Sequence, residues 1–160
     1  MQPLTLLMLL ALLACSARAE EVSFYGVLVP PPQCTISGGN TLEIDFGDKL
    51  GVNKIDGVNY RRQVEYQLEC PPLDPEAPPM QLQLAVNGVA TAFDNAALQT
   101  NVADLGLRLT ADDKPLPLNT RIPLDPLRPP ALWAVPVKDP NGILQEGAFE
   151  ASATLLAEYQ

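Results

Sequence analysis

Proline interrupts this chain so often that a long helix has no room in it. Seventeen prolines and ten glycines are spread over 160 residues, and a proline inside a helix removes a backbone donor and clashes with the turn before it. Beyond the first 19 residues no segment holds an apolar period of 3.6. Short stretches alternate with period two instead, as half-buried strands do. The expected fold class is all-β, and short strands separated by turns point to a sandwich.

The alternation is regular enough to assign faces. "TLEIDF" sets Leu42, Ile44 and Phe46 on one side. "RQVEYQLEC" sets Arg62, Val64, Tyr66, Leu68 and Cys70 in one register, with Gln63, Glu65, Gln67 and Glu69 opposite, which predicts one half-buried strand. "QLQLAVNG" places Leu82, Leu84 and Val86 before an Asn87-Gly88 turn. "LGLRLTADDKPLPL" reads as a hairpin turning at "ADDKP", and "ALWAVPVK" as a strand that Pro136 assigns to an edge or a bulge. "PPLDPEAPP" and "PLDPLRPP" are stiff loops.

The two ends of the sandwich carry the least ordinary patterns. In "EEVSFYGVLVPPPQC", Val22, Phe24, Gly26 and Leu28 share one face of an extended segment, and Pro30, Pro31 and Pro32 then fence it off. In "GAFEASATLLAEYQ", Phe149, Ala151, Ala153, Leu155, Ala157 and Tyr159 share a face, and the given sequence stops at Gln160 in mid-strand. An alternating strand at either end is ordinarily part of its own sheet. The fence and the missing closing strand are what raise a different question, namely which chain the first strand serves.

The apolar run from Leu4 to Ala14, followed by Ala17-Arg18-Ala19, predicts a removed secretory signal over residues 1–19. The run falls short of the ~20 apolar residues needed to span a bilayer. Cys15 in "LLAC" leaves a lipoprotein cleavage as the second reading of this leader. Without Arg18, nine cations against 19 carboxylates give a net charge of −10, which argues against nucleic acid and anionic membranes as partners. Cys34 and Cys70 remain in an exported chain, and an even pair in an oxidising compartment is most simply a disulfide. Closing that loop is worth roughly 3 to 4 kcal/mol in the chain-entropy model.

Taken together, the "F-x-G-x-L" of the first segment, Cys34-Thr-Ile-Ser, "IDFGD", Cys70 closing an alternating strand, "LGLRL" and the C-terminal "G-x-F-x-A-x-A-T-L-x-x-x-Y-Q" resemble pilin subunits of the chaperone–usher pathway. The likeness is to the small tip-fibrillum and adaptor subunits of P and type 1 pili, and it spans the mature chain. The resemblance implies an incomplete immunoglobulin-like β-sandwich lacking its seventh strand, completed by a donor strand from a periplasmic chaperone or, at the outer-membrane usher, from a neighbouring pilin subunit. It implies residues 20–33 as a donor extension and 34–160 as the pilin domain. Val22, Phe24, Gly26 and Leu28 would be the donor side chains. Phe149, Ala151, Ala153, Leu155, Ala157, Tyr159 and Gln160 would form the groove edge and the chaperone-recognition end, and Cys34 and Cys70 the family disulfide. A tip subunit, an adaptor and a terminator all fit, and the expected destination is a cell-surface fimbrium reached through the periplasm.

Catalysis finds little to work with. The chain has no His, so acid–base chemistry would fall to Asp45, Asp48, Asp56, Asp112 and Asp113, none in a recognisable constellation. "DFGD" fits neither a calcium loop nor a kinase. The expectation is a non-enzymatic protein with no cofactor, no metal and no small-molecule substrate. The competing reading is a complete secreted sandwich that binds a soluble ligand; unlike a pilin with an open edge, it would be stable alone.

Overall fold

The computed structural model describes residues 20–73, 75–76 and 79–160; the expected signal at residues 1–19 lies outside them. The chain divides between Pro30 and Pro31 into two units. That division falls inside the proline fence, and Gln33, bridged to Glu158, lies in the second unit.

In the first unit, residues 20–30 form no ladder among the described residues. Their side chains are exposed on both faces: Val22 at 67%, Phe24 at 92% and Leu28 at 99%, with Tyr25, Val27 and Val29 equally open.

Pro31–Gln160 is all-β, with ten short strands and two 3-10 turns among the described residues. A small sheet pairs β1 (Thr35–Ile36) with β3 (Leu68–Glu69). A three-stranded sheet runs β10 (Thr154–Tyr159), β4 (Leu82–Asn87), β8 (Ile122–Pro123). The largest sheet runs β2 (Arg62–Val64), β9 (Leu132–Lys138), β6 (Leu105–Ala111), β5 (Ala97–Gln99), and β7 (Lys114–Pro115) folds back on β6. Every pairing is antiparallel.

The core lies between the last two sheets. Leu82, Leu84 and Val86 of β4 and Tyr159 of β10 pack against Leu107, Leu109 and Ala111 of β6 and Leu132 and Ala134 of β9. Leu84 is fully buried, and burying an apolar side chain contributes about 1.5 to 3 kcal/mol. Cys34 and Cys70 form a disulfide beside the β1–β3 pair.

Four expectations meet the structure with changes. "RQVEYQLEC" keeps its predicted alternation but is not one strand: β2 pairs with β9, β3 pairs with β1, and residues 65–67 carry the chain from one sheet to another. "TLEIDF" also keeps its alternation, with Leu42 and Ile44 half-buried and Phe46 buried, yet it has no ladder partner among the described residues. In the hairpin, the turn narrows to Asp112 and Asp113, both at positive φ (47° and 64°), as a two-residue primed turn demands.

Pro136 is the fourth change, since it sits in the interior strand β9 rather than at an edge. Its carbonyl accepts the Gly57 N–H at 3.2 Å. The nitrogen and carbonyl of one strand residue point the same way, so the missing N–H faces Gly57, past Ala134, where the β2 pairing ends. No ladder bond to β6 is lost.

Gly106 of β6 is required for close packing: an added Cβ would lie 2.7 Å from Thr91 Cγ2 and 3.1 Å from Ala97 Cβ. Gly106→Val should destabilise the fold by about 1 to 3 kcal/mol, read as a lower urea midpoint at unchanged slope. Tyr66 donates from its hydroxyl to the Pro130 carbonyl at 2.9 Å. Burial first, and the Asp112 charge second, push its pKa up to about 12 from 10.0. Because the unfolded chain loses that proton first, stability should be complete below about pH 10 and fall toward pH 12. A urea-midpoint series against pH should therefore be steeper there for the wild type than for Tyr66→Phe.

Candidate functional site: an open groove with two unpaired lips

A sheet needs a strand on each side of every interior strand. β10 pairs with β4 along one edge. Along its other edge the single partner among the described residues is Gln33, bridged to Glu158 near the strand's C-terminal end. From residue 157 back to 149 that edge carries no backbone ladder among the described residues. Facing it are residues 41–45, extended and alternating, which make no backbone–backbone hydrogen bond among the described residues. Between these two lips runs an open groove of about 1130 Å³.

The groove has an apolar floor because it cuts into the core itself. Val86 of β4, Leu98 of β5, Leu105, Leu107 and Leu109 of β6, and Leu132 of β9 all reach it. Phe46 and Phe149, one from each lip, meet in a tilted pair with ring centroids 5.8 Å apart and planes at 52°. This contact ties the lips across the floor, the tilted arrangement suiting two ring quadrupoles.

Each lip is held from behind. Asp45 Oδ1 accepts the Gly47 N–H at 2.7 Å, and Gly47 has a φ of 90°, a conformation that glycine adopts without penalty. Arg62 donates to the Phe46 carbonyl at 3.5 Å. On the other lip Asn101 works as a clamp. Its Oδ1 accepts the Glu150 N–H at 2.8 Å, and its backbone N–H donates to the Glu150 carbonyl at 3.2 Å. The strand β10 is further secured by Arg121, whose Nε donates to Glu158 Oε1 at 2.8 Å.

Of the residues that the sequence assigned to the groove edge, Phe149, Ala151, Ala153 and Leu155 line it. Ala157 and Tyr159 do not. Tyr159 is buried in the core opposite Leu82, and exposed Gln160 exchanges two backbone hydrogen bonds with Gln81, at 2.8 and 2.9 Å. The facing lip at residues 41–48 was not assigned to the site, although the alternation of "TLEIDF" was its signal. The four donor candidates Val22, Phe24, Gly26 and Leu28 lie in the first unit, where a Cβ added at Gly26 meets nothing within 4 Å.

The carboxylates singled out as acid–base candidates mostly serve turns. Asp56 accepts the Val58 and Asn59 N–H groups at 2.9 and 2.8 Å, and these bonds, Asn59 first, hold its carboxyl below the usual carboxylate value. Asp112 accepts the Ala131 N–H at 2.9 Å, and Asp113 pairs with Arg61. Arg61 also lies over the Trp133 ring, 4.3 Å from its centroid. What the groove can do is accept an extended chain, offering backbone groups on both sides and apolar contact below.

Comparison with known proteins agrees with that geometry. A family model described as "Fimbrial protein" matches residues 22–160. The fimbrial-like protein YfcQ of Escherichia coli (strain K12) is 37% identical over 161 residues, covering 98% of each chain. A second fimbrial-like protein of that strain, YfcR, is 34% identical over 134 residues, covering 81% of this chain and 75% of its own. Among solved structures, the P pilus rod subunit PapA has a TM-score of 0.63 at 23% identity, over 88% of this chain and 100% of its own. The P pilus adaptor subunit PapF has a TM-score of 0.57 at 23% identity, over 82% and 98%. The fold is thus the immunoglobulin-like one of pilus subunits, and a chain from a chaperone–usher pilus shares it with a TM-score of 0.61.

The Phe46–Phe149 pair gives the first test of the site. Phe149→Ala should cost about 1 to 3 kcal/mol, from the lost aromatic contact and half-buried area. The change should appear as a lower thermal midpoint of the protein with its groove filled.

Proposed function

Because this chain belongs to the fimbrial protein family, we propose that it is a minor structural subunit of a chaperone–usher fimbrium that polymerises by donor-strand exchange and supports adhesion at the pilus tip. The observation that carries the reading is the groove: two lips with no backbone ladder between them among the described residues, over an apolar floor, enclosing about 1130 Å³. A strand laid there would satisfy both rows of backbone groups, remove an exposed sheet edge and cover the core. In the periplasm a chaperone supplies that strand; at the outer-membrane usher a neighbouring subunit replaces it, and the product is carried to the cell surface.

Residues 20–30 are the matching half. They hold an exposed apolar stripe, Val22, Phe24 and Leu28, with no ladder of its own among the described residues. Burying those three side chains in a neighbour contributes about 1.5 to 3 kcal/mol each. Gly26 is the position at which that neighbour's groove is shallow.

Periplasmic expression with and without a fimbrial chaperone from the same genome, followed by size-exclusion chromatography, tests the reading. Recovery only as a one-to-one complex with the chaperone is expected. A soluble, cooperatively folding monomer obtained without chaperone would overturn it and favour a self-sufficient ligand-binding sandwich.

Gly26 separates the two halves of the mechanism. A Cβ added there meets nothing within 4 Å among the described residues, so Gly26→Leu should leave the yield of chaperone complex unchanged. Incorporation next to the following subunit should be blocked, measured as fibre assembly in vitro. Normal assembly by the variant would remove residues 20–30 from the donor role.

A further inference from the structure

The groove has a charge sign. Glu43, Asp45 and Asp48 line one lip and Glu146 and Glu150 the other, all exposed. None of the five belongs to the ion pairs found among the described residues. Among the described residues no Lys or Arg lines the groove; of the cations nearby, Lys49 and Lys54 adjoin lining residues in sequence, Arg61 stacks on the lining Trp133 and pairs with Asp113, and Arg62 is directed at the Phe46 carbonyl.

The acids also point the right way to read an incoming strand. Glu43 and Asp45 alternate with Leu42, Ile44 and Phe46, and Glu150 with Phe149 and Ala151. The apolar set turns inward and the carboxylates outward, alongside the outward side chains of whatever strand lies between the lips. Neighbouring strands are about 4.8 Å apart, well within the screening length of about 8 Å at physiological salt.

A second copy of this chain would offer a suitable apolar stripe but an unsuitable charge. Its residues 20–33 contain Glu20 and Glu21 and neither Lys nor Arg. A free α-amino group ahead of Glu20 would still leave the segment net negative.

We infer that the groove selects a donor strand from an unlike subunit, one carrying Lys or Arg among its outward residues, over the extension of a second copy of this chain. The inference rests on the reading of the groove as a strand acceptor. Its consequence is that the protein enters an assembly singly, between unlike neighbours, rather than as a run of itself.

A peptide competition tests it. The mature chain is refolded from denaturant with equal amounts of two synthetic peptides, residues 20–30 and the same sequence with Glu21→Lys and Ser23→Lys, both on the outward face. The bound fractions are then read by native mass spectrometry. At low salt the lysine peptide should be favoured at least about three-fold, and the preference should collapse in roughly 1 M salt, where the screening length is about 3 Å. Glu43→Gln, Asp45→Asn and Glu150→Gln combined in the protein should narrow the preference at low salt. Equal occupancy at low salt, or a preference indifferent to salt, overturns the selection and leaves the acceptor groove standing. Retention of neither peptide at either salt overturns the acceptor reading and the inference with it.

Discussion

An unpaired backbone edge is the constraint on which the rest of this structure turns. Among the described residues the sheets have other terminal strands, β8 and β2 among them, but the unpaired edge that lies directly over the core is the line where β10 and the extended residues 41–45 face each other across its floor. Backbone donors and acceptors left beside apolar surface are costly to bury and dangerous to expose. The devices around that line, the Asn101 clamp, the Asx turn at Asp45 and the Phe46–Phe149 pair, hold the lips in place without a strand between them. They preserve a gap that an ordinary sandwich would close.

Side-chain alternation was legible in the sequence, and hydrogen-bond partnership was not. Leu42, Ile44 and Phe46 turn inward as their spacing requires, because the pleat fixes the face of each residue from local geometry alone. Whether a strand lies alongside is decided by distant residues, so the same spacing describes a paired strand and a groove lip equally well. For the same reason "RQVEYQLEC" reads as one strand although two sheets share it. Pro136 was misplaced through a rule about average positions; what decides its tolerance is the direction of its nitrogen, set by Gly57 and the end of β2.

The site was half legible. Phe149, Ala151, Ala153 and Leu155 were identified as one edge from their period-two pattern and the resemblance to pilins. The opposite lip announced itself in the same currency but lacked a resemblance to mark it. Tyr159 illustrates the converse limit: it shares the face of those residues, yet the strand runs on past the groove, and at Glu158 the bridge to Gln33 has already closed the opening. A shared face is not a shared environment.

The position of the disulfide bears on mechanics. Gln33 and Cys34 are the first residues after the proline fence, and Cys34 is bonded to Cys70. If neighbouring subunits are joined through residues 20–30, tension along a fibre enters this subunit at Cys34. It passes at once through a covalent bond to Cys70, and the 35 residues between the two cysteines, the lip at 41–48 among them, are bypassed. Pulling therefore cannot peel that lip off the strand it grips or pay out its length as slack. With such joining, the load would fall instead on the register of the inserted strand, whose backbone hydrogen bonds to the two lips would share it in parallel.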